Sequence, residues 1–509
     1  MNLHKLILIS ITLNVVNSAR ILFLSPSPSY SHSVAYFPII RELSLRGHQV
    51  VSILSDNLND PKLTNLTEID VHDHLYGLKD AKYLMDNLMN NPYFDQTKWY
   101  HDYSYRIMDH FLQFPGVQEL IQHPEKYNFD LVITEWITYQ SVIAFADLFK
   151  CPLIGISSYT IFLHGHDAIG NPTHPTYIPN AWDQHVDPKS FWDRLKSVYN
   201  SVEYRLHYKY YVLPRQNSLV QKYFGDRVTR NIEEIEKDVS LVLTNTNPIL
   251  HGAYPKVANL IEFGGIHVQK YVPPEKDLQS FLDSAENGFI YFSLGSALRS
   301  IFFGDKIINI MLNVFEKLPY KVVWKFESEL NVKLNNVYTS KWLPQRAILE
   351  HKNCKLFMTQ GGLQSAEETI RAGIPLLIIP FFSDQYLNGG RFEQLGMGKR
   401  LLRSQITEER IEQAIYEIIN NTRYKETVIE ISKTLWDQQT KPLDRAIWWI
   451  EYVIRHKGAK YLRNPALNAP WYQVQLLDVY LFILSILILA IVIVSFAIRK
   501  LYLFMKSKI

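Results

Sequence analysis

Cysteine is nearly absent: the 509 residues contain two, Cys151 and Cys354. Each opens an apolar, strand-like run (CPLIGIS and CKLFMT), which suits buried thiols better than a disulfide. No Cys/His pair has the spacing of a zinc site. An excess of one charge is missing too. Lys and Arg number 53 against 50 Asp and Glu, a net +3, and no basic run interleaved with aromatics occurs in the body. That balance argues against a nucleic-acid partner. No G-x-G-x-x-G follows the first strand-like run, FIYFSLGSALRS is not a Walker loop, and no D-x-D triplet offers a cation site. What remains is a globular composition, 47% apolar and 20% charged, long enough for two or three domains.

Long apolar runs occur only near the two ends. Residues 1–19 carry an early Lys5, an apolar stretch from Leu6 to Val16 and small residues at 17–19, the pattern of a secretory signal peptide. A buried first strand fits the next run, RILFLS, better. Residues 479–498 hold no charge and predict a transmembrane helix, spanning ~30 Å at ~1.5 Å per residue. Arg499, Lys500, Lys506 and Lys508 then predict a cytosolic tail, residues 499–509, and a lumenal body. With a lumenal body, Asn65 and Asn420 head acceptor triplets for glycosylation.

Between these ends the pattern alternates twice. RILFLS, a polar loop PSPSYSHS, a helical pattern stopping at Gly47, and QVVSILS make a strand–helix–strand unit. FDLVITE, CPLIGIS and VSLVLTN read as further strands of the first half. Residues 62–125 and 161–230 are aromatic-rich insertions with helical pieces. FIYFSLGS, KVVWKFE, VYTSKWLP, KLFMT and PLLIIP repeat the alternation. The reading is α/β: two facing doubly wound domains, 20–265 and 288–440, with a linker at 266–287. A helical segment, 441–478, leads to the span. In such sheets ligands sit beyond the carboxyl ends of the strands.

Two strand ends of the second half are polar and glycine-bearing, in FMTQGGLQSAEETIRAGIPLLIIPFFSDQ, Phe357–Gln385. Ser365 and Glu368 have capping-box spacing, so a helix starting at Ser365 accounts for both residues structurally. The same helix start offers free N–H groups to an anion, and Gly361 and Gly362 allow close approach. Gln360, Gln364 and Ser365 add neutral donors. Asp384 and Gln385 follow the next strand, where a carboxylate and an amide suit sugar hydroxyls. Trp342 in WLPQ suits a stacked base, with Gln345 beside it; a core tryptophan and a turn are the structural alternatives.

Together with WLPQ, YFSLGS, FDLVITE and the tail from Leu443 to Tyr480, this run resembles the signature of the UDP-glycosyltransferases. These are the membrane-bound UDP-glucuronosyl- and UDP-glucosyltransferases, and the likeness is greatest to insect members. The resemblance implies a GT-B fold, with a first domain for the acceptor and a second for the UDP-sugar. It implies that Trp342 stacks on uracil, Gln345 binds uridine and Glu368 takes the ribose hydroxyls. Ser296, Gln360, Gly362, Gln364 and Ser365 would meet the diphosphate, and Asp384 and Gln385 the transferred sugar. Many relatives have His where Gln360 stands; Gln donates a hydrogen bond without charge.

His32, in the loop after the first strand, corresponds to the family's catalytic base. Relatives commonly orient that His with an Asp, where this chain has Glu135, one methylene longer. The reaction implied is inverting displacement at the anomeric carbon, without cofactor or metal. No Arg occurs from Asn231 to Gly265, which favours UDP-glucose over UDP-glucuronate. The acceptor expected is a small lipophilic alcohol, phenol or sterol, and the location the endoplasmic reticulum membrane, single-pass. A homo-oligomer is among the arrangements the resemblance allows. A catalytically inactive relative holding a lipophile or UDP-sugar is the rival, kept open by Gln360 and Glu135. A single-span receptor fits the topology but not the nucleotide site.

Overall fold

The computed structural model describes residues 18–507 except 79–80, 91–94, 179–188, 268–270, 297 and 331. Nearly all of the signal-peptide segment therefore lies outside the described residues. The first half contains β1 (Arg20–Ser25), β2 (Gln49–Leu54), β3 (Leu66–Asp70), β4 (Leu131–Glu135), β5 (Leu153–Ser157), β6 (Leu241–Thr244) and β7 (Leu260–Glu262). The second contains β8 (Phe289–Ser293), β9 (Lys321–Lys325), β10 (Val337–Ser340), β11 (Cys354–Thr359), β12 (Leu376–Ile378) and β13 (Gly398–Arg400).

The sheets run β3-β2-β1-β4-β5-β6-β7 and β10-β9-β8-β11-β12-β13, and every pairing is parallel. The physical reason is composition. LVITE, LIGIS and FIYFS are buried along their whole length, as strands covered by helices on both faces must be. Strand order reverses between β1 and β4 in one sheet and between β8 and β11 in the other, so each half opens a crevice at that point.

Three strands were not expected from the sequence. LTEID at β3 lies inside the presumed insertion, and β7 and β13 are only three residues each. The remaining insertions are largely helical, with long helices Gln96–Gln113 and Phe191–His207. The helix after β1 begins at Tyr30, so His32 sits in its first turn rather than in a loop. The linker region carries a helix of its own, Lys276–Asp283.

Helix Pro442–His456 lies against the first half. Ala446, Ile447, Ile450 and Val453 join Ile21, Phe23, Ala35 and Tyr36 in one buried cluster. Residues up to Leu462 form one compact unit with both sheets. The second unit, Arg463–Ile509, contains helix Leu477–Lys506, whose 30 residues include an apolar run long enough to cross a bilayer. Asn65 and Asn420 are both exposed.

Candidate active site

A cavity of about 520 Å³ lies between the two switch points, lined by both halves. Its first-half wall is His32 and an aromatic set, Trp99, Tyr100, Tyr103, Tyr139 and Tyr159. Register explains how the histidine is held. β1 pairs with β4 through Leu24 and Thr134, so Ser25 and Glu135 are the next residues at the carboxyl end. Glu135 is buried there and receives three bonds: Ser25 Oγ at 2.9 Å, Tyr36 OH at 3.0 Å and His32 Nδ1 at 2.6 Å. The longer carboxylate thus reaches the ring directly. Burial first, then the charge of Glu135, pushes the Tyr36 phenol up, which keeps it a donor. The ring of Tyr159 meets His32 edge-on at 5.6 Å.

The second-half wall is built from the strand ends singled out above. Ser296, Trp342, Gln345 and Gln360 all line the cavity. So do Gly362, Gln364, Ser365, Glu368, Asp384 and Gln385. Trp342 is 59% exposed, its ring edge-on to Tyr30 at 5.7 Å across the cleft. Gln345 Nε2 donates to Glu368 at 2.7 Å and to Ser365 Oγ at 3.1 Å.

Those two bonds correct the capping-box reading. The helix runs Leu363–Ala372 with Gly362 as its N-cap and no side-chain cap, so Ser365 and Glu368 already lie inside it. Its first N–H groups are left for another partner. Gly361 makes the tight entry possible. Its φ is +92°, and a Cβ there would lie 2.9 Å from Ile378 Cγ2.

Gln360 is buried, with its Oε1 unpartnered. Gln364 turns toward the first half, donating to the carbonyls of Ser158 at 3.0 Å and Ser31 at 3.3 Å. Gln385 Oε1 accepts from the N–H groups of Phe381 and Phe382, at 2.9 and 3.2 Å. Asp384 follows Ser383, which is itself held at a φ of +59°. Burial pushes the Asp384 carboxyl up to about 6, against the opposing bond from Asn388 and the nearby charge of His32.

Lys325, Arg346 and His267 also line the cavity and were missed in the sequence. Lys325 is buried beside Glu327, 2.6 Å away, and lies 5.6 Å from the centre of the Trp342 ring. The available signal was a cation at the carboxyl end of an otherwise apolar strand.

Two facing wound halves with one shared cavity match a known architecture. The family model described as UDP-glucoronosyl and UDP-glucosyl transferase matches residues 21–509. The chain belongs to this UDP-glycosyltransferase family. The transferase is 32% identical over 493 residues to UDP-glycosyltransferase UGT5 of Dactylopius coccus, covering 96% of this chain and 93% of that protein. It is 29% identical over 498 residues to human UDP-glucuronosyltransferase 2B15, covering 93% and 92%. Among solved structures, the glycotransferase of kitacinnamycin aligns with a TM-score of 0.56 at 20% identity, over 86% of this chain and 98% of that one. The fold of the transferase is GT-B, and its activity is transfer of a sugar from a UDP-sugar to an acceptor.

Proposed function

We propose that this UDP-glycosyltransferase moves glucose from UDP-glucose to a hydroxyl of a small lipophilic acceptor, with His32 as general base. The observation that carries the reading is the 2.6 Å bond between His32 Nδ1 and Glu135 in a ring lining the shared cavity. A carboxylate only accepts, so Nδ1 holds the proton and Nε2 keeps its lone pair. Nε2 takes the acceptor's proton as the alcohol oxygen attacks the anomeric carbon. The bond from that carbon to the UDP oxygen breaks, the diphosphate leaves with the electron pair, and Glu135 stabilises the imidazolium. Displacement inverts the centre, giving a β-glycoside from an α-linked donor.

On the donor side, Trp342 stacks on uracil, Gln345 binds uridine and Glu368 takes the ribose hydroxyls. The Gln345–Glu368 bond supports this pairing. The uncapped helix start, with the N–H of Gln364, holds the diphosphate together with Ser296, Gln360, Gly362 and Ser365. No metal enters this reading. Asp384 and the free NH₂ of Gln385 hold the sugar hydroxyls. Glucose, rather than a sugar carrying a carboxylate, is supported by the lack of Arg from Asn231 to Gly265. The aromatic wall favours a flat lipophilic alcohol, phenol or sterol. We place the enzyme in the endoplasmic reticulum membrane, body lumenal, with Asn65 and Asn420 open to glycosylation.

The test uses microsomes expressing the full chain with UDP-glucose, UDP-glucuronate and a panel of phenols and sterols. Glucoside formation is expected, and it disappears in His32→Ala. Activity unchanged by that substitution removes the base assignment; UDP-sugar binding without turnover across the panel favours the inactive relative.

A further inference from the structure

The first turn of helix Leu363–Ala372 presents two faces. Ser365 and Glu368 meet Gln345 on the donor side, whereas Gln364 and Glu367, three residues apart, turn to the first half and the linker. Gln364 Nε2 donates to the carbonyls of Ser31 and Ser158. Ser31 immediately precedes His32, and Ser158 immediately precedes Tyr159, the ring packed on His32. The Ser158 carbonyl also accepts from Asn245 Nδ2 at 3.1 Å, and that nitrogen lies 3.4 Å from Glu367 Oε2. Glu367 Oε2 is 3.0 Å from His267 Nδ1, while His267 Nε2 is 3.0 Å from the carbonyl of Gln364 itself. Ser158, Asn245, His267 and Glu367 are all buried.

The bonding sets the charge of this group. A backbone carbonyl only accepts, so His267 Nε2 carries a proton. Nδ1 makes no hydrogen bond, but it stands 3.0 Å from Glu367 Oε2, an ion-pair distance that favours a proton on this nitrogen too and an imidazolium against Glu367. Burial works against that form, but the adjacent carboxylate of Glu367, with Glu368 behind it, outweighs burial and raises the pKa of His267. His251, which also feels Glu367 and Glu262, is instead pushed down by its burial. From the first half, the neutral Asn245 and Ser158 bond into the group, and His251 and Glu262 are its nearby titratable neighbours.

We propose that Gln364, Glu367 and His267 form a latch between the halves that positions His32 over the donor, engaged while His267 is an imidazolium. The proposal rests on His32 being the base. The three side chains do not touch the reacting atoms; they act through the backbone on either side of the base. One short helix thereby couples donor binding to the placement of the general base. Activity then falls at high pH, as His267 loses its proton.

The test uses the purified full-length chain in nanodiscs, with kcat and KM across pH and UDP affinity by calorimetry. Gln364→Asn keeps an amide at the helix start but is too short for Ser31 and Ser158. It is expected to lower kcat about tenfold or more, the loss of one to two hydrogen bonds' worth of positioning, with UDP affinity within about twofold. Glu367→Gln moves the alkaline limb down by about one pH unit or more. His267→Gln, with its charge removed, abolishes the alkaline limb. UDP affinity falling as far as kcat in Gln364→Asn would make that side chain a diphosphate ligand and overturn the latch. So would an alkaline limb unmoved in both Glu367→Gln and His267→Gln, or loss of UDP binding in both. Failure of the base reading is separate: it shows as activity surviving His32→Ala.

Discussion

Asp384 holds the sugar in the proposed complex, and its burial has a stability cost that Asp384→Asn should relieve. Its carboxyl stands at about 6 in the folded protein against 3.8 ordinarily, with burial the main cause. A raised folded pKa means that the stabilising protonated form is fully present below pH 3.8, and that its contribution is lost as pH rises through about 6. The difference is about two pH units at 1.36 kcal/mol each, so roughly 3 kcal/mol of native stability is missing at pH 8. An Asn side chain can keep the 2.7 Å bond from Asn388 Nδ2 through its oxygen and carries no charge to bury. Thermal unfolding of the full-length protein in nanodiscs, followed by tryptophan emission at pH 5 and pH 8, reads the effect. At pH 8 the Asn variant should melt on the order of 5 °C above the parent, with the gap roughly halved at pH 5. Sugar transfer should fall in the same variant for every acceptor, because the sugar loses an acceptor group. A variant melting at or below the parent at pH 8 would refute the reasoning.

Three further outcomes are expected. Glu135→Gln can keep its oxygen toward His32 and turn its NH₂ to Ser25, so the ring stays in place but the imidazolium loses its counter-charge. Exchanging a charge-assisted bond for a neutral one costs about 1–2 kcal/mol, hence a roughly tenfold lower kcat with UDP affinity unchanged, checked by initial rates and calorimetry. Trp342→Ala removes the base platform, and with base stacking worth about 1–3 kcal/mol the KM for UDP-sugar should rise tenfold or more regardless of acceptor. Gly361→Ala puts a methyl group 2.9 Å from Ile378 on a backbone at φ +92°, and should lower stability by about 1–3 kcal/mol in chemical denaturation.

Much of the fold was readable because long, wholly apolar strands announce a parallel sheet. β1, β4, β5 and β8 were each visible as uninterrupted runs. β3 was not, because LTEID at a sheet edge alternates polar and apolar residues and sits within an aromatic-rich region. β7 and β13 are too short to carry a period. At the site, the anticipated donor-side residues all reach the cavity, because strand ends and helix starts are local features. His267 escaped notice because only the tertiary packing of distant segments brings it to the cleft. The helix start at Leu363 was misplaced by two residues because Ser365 and Glu368 imitate a capping box, while the structure gives both to Gln345, twenty or more residues upstream.

Helix Pro442–His456 closes the face of the first sheet with Ala446, Ile447, Ile450 and Val453. During synthesis, then, the half that is made first is finished last. Its apolar face stays uncovered until almost nine-tenths of the chain has left the ribosome, whereas every strand of the second sheet has emerged by Arg400. Such an order leaves the first half waiting on a C-terminal clasp, and a shortened version ending before residue 456 would lack part of it.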